Sequence, residues 1–158
     1  MVEFIDSQGR AWTGNFAPGL GSVSTVLPHP DGRRVLVAAE GALWSVDPDA
    51  RVGEELSGAV DALWPIREPD GFVMSRQGLA FLRLGPSGVL WRTRRLSWDG
   101  FDQIRLDEST LSGLAWNPLD DRWDPFTVDL ATGASTGGSF HFADAERWEE
   151  LAPGFPAV

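Results

Sequence analysis

The chain has 158 residues, a formal net charge of −10, and 42% hydrophobic against 23% charged residues. That length suits one domain, with a core large enough to fold without a metal or a disulfide. Cysteine, lysine and tyrosine are absent, which excludes a disulfide scaffold, a cysteine-held zinc or iron–sulfur centre, a lysine Schiff base and a P-loop.

The first residues, Met1-Val2-Glu3-Phe4-Ile5-Asp6, carry no basic segment and no long apolar one. The reading therefore expects no secretory leader and a cytoplasmic location. No apolar run approaches the roughly 20 residues of a membrane span. Acids outnumber arginines in both halves, so no basic face is set aside for a phosphate backbone or an anionic membrane.

Eighteen glycines and 11 prolines punctuate the chain. Asp31-Gly32, Asp70-Gly71 and Asp99-Gly100 read as turns, because glycine accepts positive φ and aspartate bonds the nearby backbone. Apolar or alternating runs between turns predict strands at 23–27, 35–39 and 42–46, then at 59–66, 72–75 and 79–84. A long alternating run predicts one strand over 89–98. Further strands are expected at 103–106, 111–116, 125–130 and 138–142, with a hairpin loop at 129–133. Asp144 caps a short expected helix over 145–152, stopped by Pro153-Gly154.

A weak repeat runs through these elements: turn, strand, tight glycine turn, strand, aromatic. Its units follow Gly32, Gly71 and Gly100. The run Leu27-Pro28-His29-Pro30-Asp31-Gly32-Arg33-Arg34, with Trp44-Ser45-Val46-Asp47-Pro48, resembles blades of bacterial β-propellers of the WD-repeat and quinoprotein type. Gly88-Val89-Leu90-Trp91-Arg92-Thr93 and the run from Phe126 to Gly133 resemble the same material. Propellers need at least four blades and this chain holds about three. Either the units form an open or sandwich-like meander, the preferred form, or two chains complete a ring. The stretch around Leu90–Phe101, Leu111–Pro118 and Trp123–Gly133 also resembles bacterial accessory or immunity-like proteins. That resemblance implies no catalytic residue.

The residues themselves offer few sites. His29 sits between two prolines and His141 between two phenylalanines, with no Gly-x-Ser-x-Gly elbow to pair with either. Arg92, Arg94 and Arg95 form the only basic cluster; pairing with the acids of 99–108 is its expected role. From Asp99 to Asp124, 7 acids face 2 arginines. Neither an EF-hand spacing nor a clear carboxylate dyad stands out there. Of the 8 tryptophans, Trp44, Trp91 and Trp116 read as core, while Trp12, Trp64, Trp98, Trp123 and Trp148 lie near turns, acids or prolines.

The resulting expectation is one all-β domain, an antiparallel meander of about three propeller-blade-like units (1–57, 58–97 and 98–158) with one short C-terminal helix. It is expected to be no enzyme and to hold no metal or cofactor. It would bind a basic protein partner through Trp98, Asp99, Asp102, Asp120, Asp121, Trp123 and Asp124, away from nucleic acid and membrane. A carbohydrate- or small-ligand-binding module and a homo-oligomer remain the alternatives.

Overall fold

In the computed structural model, residues 1–67 and 71–141 are described. The strands are β1 (Val2–Ile5), β2 (Ala11–Gly14), β3 (Thr25–Pro28), β4 (Val35–Ala39), β5 (Ala42–Asp47), β6 (Val52–Ser57), β7 (Val60–Ile66), β8 (Gly71–Arg76), β9 (Ala80–Gly85), β10 (Gly88–Arg92), β11 (Phe101–Leu106), β12 (Thr110–Asn117), β13 (Arg122–Asp129) and β14 (Ser135–Gly137). All pairings are antiparallel. β1 and β2 form a hairpin. The others form three four-stranded meanders, β3 to β6, β7 to β10 and β11 to β14, and none closes. This is the expected all-β meander of three units. The chain divides into two compact units, residues 1–92 and 93 onward. The first holds the hairpin and two sheets, the second the third sheet. No described helix is long and apolar enough to cross a membrane.

The differences from the sequence reading have local causes. β1, β2 and β6 are unexpected: two are only four residues long, and β6 is a largely exposed edge whose Glu54 and Glu55 break any apolar pattern. The expected 89–98 strand stops at Arg92, after a bulge between Val89 and Trp91. Beyond it residues 93–98 belong to no strand, and Leu96, Ser97 and Trp98 are buried in succession. The last strand lies at 135–137 rather than 138–142, because Gly137 and Gly138 adopt φ of 70° and 86° and turn the chain away. Residue 142 and the expected helix over 145–152, with Trp148, fall outside the described residues. The third repeat is also out of phase: Gly32 and Gly71 lead into central strands of their sheets, whereas Gly100 leads into the edge strand β11.

Within the first unit, alternation along β4 and β5 gives the first sheet two apolar faces. Leu36, Ala38 and Leu43 turn one way and join Val60, Met74, Leu82 and Leu84 of the second sheet in a buried cluster. Burying each of the larger side chains is worth ~1.5–3 kcal/mol. Val35, Val37, Trp44 and Val46 turn the other way, and the β1–β2 hairpin covers them with Phe4, Trp12 and the following Phe16. Phe4 stacks on Trp12 at 4.5 Å, and Phe16 lies 5.9 Å from Trp44. The hairpin is fastened at its rim, where Trp12 Nε1 donates to Pro48 O (2.9 Å) and the Ser7 amide to Asp49 Oδ1 (2.6 Å).

Aspartates shape four of the hairpin turns. Asp6, Asp31, Asp47 and Asp129 each accept amide hydrogens from the turn that follows. These bonds set their acidity. The Arg10 amide is the main influence holding Asp6 below the ordinary carboxylate range, and the Thr132 hydroxyl does the same for Asp129.

Between hairpin and core, residues 19–23 cross the tight β4–β5 turn. The amides of Gly19 and Gly21 donate to Ala39 O and Glu40 O, those of Leu20 and Val23 to Gly58 O and Val60 O. Gly41 donates to Val23 O and receives from Val60 N. This strap thus joins both sheets through the main chain. It fits only because it is glycine: a Cβ on Gly21 would lie 2.2 Å from Val60 O, and one on Gly41 2.4 Å from Gly21 Cα. Gly21→Ala is expected to destabilise the chain by ~3 kcal/mol. Gly53→Ala, whose Cβ would meet nothing nearer than 3.7 Å, should change little. Urea unfolding midpoints of the two variants check this.

Candidate functional site

The acidic stretch of the second unit is built around the β12–β13 hairpin. Asn117 Oδ1 accepts the Leu119 amide, and Asp121 takes φ of 49°, so the chain reverses tightly. Asn117 Nδ2 donates to Asp124 Oδ2 (2.9 Å) and Asp120 Oδ2 (3.3 Å). Arg122 Nε donates to Asp124 Oδ1 (2.7 Å), and its Nη2 lies 3.6 Å from Asp120 Oδ2. Asp120 and Asp124 are therefore partly neutralised and belong to the turn's own scaffold. Asp121 points out, exposed, at the tip.

Cross-strand pairing then sets the aromatic surface. Trp116 pairs with Trp123, and their rings lie 5.2 Å apart. Trp123 is 41% exposed. Trp116, read from sequence as core, is only half-buried, as are Trp44 and Trp91. Asp102 pairs with Leu114 and so shares the face of Trp116. The amide of Trp98 donates to Trp116 O (3.4 Å) and that of Trp116 to Gly100 O (3.2 Å), which sets exposed Asp99 alongside. The structure thus brings the expected site residues to one end of the third sheet. Trp98 differs in role. It is 8% exposed, with Phe140 against its ring at 4.9 Å and the Arg95 guanidinium 5.4 Å from the ring centre. Its indole supports the segment from within and is no surface platform.

The basic cluster serves the backbone. Arg94 donates to Gly137 O (2.8 Å) and Phe140 O (3.1 Å), and Arg95 to Ser97 O and Trp98 O (both 2.9 Å). Burial holds Arg95 below the usual arginine value, and Asp99 opposes that. Arg92 lies on β10 and donates to Leu56 O (3.4 Å). Sequence reasoning missed Asn117 and Arg122 as the clamps of the acidic turn. The signal was present: both flank the turn, Asn117 three residues from Asp120 and Arg122 two from Asp124.

His29 is 2% exposed at the start of the β3–β4 turn. Its Nδ1 lies 3.1 Å from the Asp31 amide, whose hydrogen points at it, and 3.1 Å from Asp31 Oδ1. Nδ1 is thus the acceptor and Nε2 carries the ring proton. Burial works to raise the Asp31 carboxyl, but the Arg34 and Arg33 amides and the Arg34 guanidinium outweigh it and hold the group ionised well below the usual range. No serine, threonine or other nucleophile bonds His29 among the described residues. No described cluster of three or more His, Asp or Glu could hold a metal ion. No family model matches the chain, and no curated protein matches its sequence.

Burial first, then the Arg34 charge, pushes the His29 imidazole below its ordinary 6.5. The unfolded chain therefore takes up that proton at a higher pH than the folded one. The stability held by neutral His29 is fully present above pH 6.5 and falls as pH drops below it. Urea midpoints from pH 7.5 to 5 should fall more steeply in the wild type than in His29→Asn, which keeps an acceptor and cannot titrate.

Proposed function

We propose that the chain is a non-catalytic protein-binding domain of the immunity or adaptor kind, which presents the Trp123 end of its third sheet to a basic partner. The observation that carries this reading is the exposed Trp123 beside Trp116, bordered by Asp99, Asp102 and Asp121. An aromatic anchor on a strand, with a charged rim, is the arrangement that concentrates binding energy at protein interfaces. The rigid turn supports it, since Asn117, Asp124 and Arg122 fix β12 against β13. The negative charge of the whole chain would speed encounter with a cationic surface, and occlusion of that surface would be the effect.

A second reading rests on the same pair. Two adjacent, partly exposed indoles also form a platform for the apolar face of a sugar ring.

Trp123→Ala is expected to weaken capture of a basic partner by about 30-fold or more. Asp99→Lys with Asp102→Lys and Asp121→Lys, which spares the clamped carboxylates, should slow association and flatten its salt dependence. Affinity capture with the three proteins, followed by binding kinetics on whatever the wild type retains, reads both. Equal retention by all three sinks the proposal. A glycan-array signal that Trp123→Ala abolishes, without protein capture, replaces it with the carbohydrate reading.

A further inference from the structure

A second feature, in the first unit, is separate from the tryptophan surface. A cleft of about 310 Å³ opens between the first two sheets, lined by His29 and Arg34 from the β3–β4 turn, Glu54 and Glu55 of β6, and Ser87 and Arg92 around β10. Its size is at the lower end of pockets that take small ligands. Its lining is unusual in being charged with both signs.

The charges do not satisfy one another. Arg34 Nε is committed to Asp31 Oδ2 at 2.6 Å. Among the described residues Arg92 reaches only Leu56 O, at 3.4 Å. Among the described residues no ion pair joins either arginine to Glu54 or Glu55. Buried polar atoms near the cleft are also unmatched. With Nδ1 taken up by the Asp31 amide, the Nε2 hydrogen of His29 has no acceptor among the described residues. Ser45 Oγ, in the cross-strand row Leu36–Ser45–Glu54, is likewise buried without a partner. Native proteins seldom leave such groups unmatched.

We propose that this cleft binds a free α-amino acid, with its carboxylate toward Arg92 and Arg34 and its ammonium toward Glu54 and Glu55. The formal charges of the lining cancel, so a simple anion would meet two carboxylates and a simple cation two guanidiniums. A zwitterion of amino-acid length places each charge against its opposite, through charge-assisted bonds. Ser87 is exposed at the rim.

Titration of the ¹⁵N-labelled full chain with neutral, acidic and basic L-amino acids tests this. Acetate, methylammonium and glucose serve as controls. The expected result is a saturable shift of the Gly88 amide and the Arg92 Nε with at least one amino acid and with no control. Arg92→Gln, and Glu54→Gln with Glu55→Gln, should each weaken that binding roughly 10- to 100-fold. Their urea midpoints should stay unchanged, since all three side chains are exposed. Trp123→Ala should bind the amino acid as the wild type does. The inference is overturned by the absence of any shift, by a control that reproduces it, or by variants that bind as tightly as the wild type.

Discussion

The first unit depends on a close approach of main chains at residues 19–23. Two sheets that meet through apolar side chains alone can slide, because burial is not directional. Here the strap adds directed bonds to both sheets at one end of their contact. Side chains would hold the backbones apart, so the glycines at 19, 21 and 41 are what permits the arrangement. The strap works together with the alternation that the pleat imposes on β4 and β5. Once the strap fixes the first sheet against the second, Leu36 and Leu43 have only one core to enter, and Val37 and Val46 must find another cover.

The acidity of the chain has two distinct uses. Asp6, Asp31, Asp47 and Asp129 are spent on amide hydrogens inside turns, and Asp120 and Asp124 on Asn117 and Arg122. Such carboxylates act as structural acceptors. Exposed groups such as Asp99, Asp102 and Asp121 are left to shape the field around Trp123. All of these groups stay charged and add to the overall field, but only the exposed ones can touch a partner.

The central strands were legible because their apolar runs are long and their turns carry Asp-Gly or a glycine: β4, β5, β8, β9 and β12 lie within a residue or two of their expected bounds. Edge strands were not. β6 faces water, and its Val-Gly-Glu-Glu-Leu-Ser carries no pattern that burial would impose. The acidic site residues could be grouped from sequence, since they share one hairpin and the segment beside it. The inward turn of Trp98 could not, because it depends on Phe140 and Arg95, and Phe140 lies 42 positions further on. The charged cleft was equally hidden. His29, Glu54 and Arg92 come from three distant stretches that only the meander brings together.

The N-terminal hairpin has a further meaning for assembly. Stacked sheets resemble layered repeats, which grow wherever a layer leaves its apolar side open. On the side of Val35, Val37, Trp44 and Val46 that growth is finished, because Phe4, Trp12 and Phe16 occupy the next layer's place. A layer of two short strands is too small to invite another, and its bonds to Pro48 and Asp49 keep it seated. The hairpin is an end plate: on that side it covers the apolar face that the first sheet would otherwise leave open.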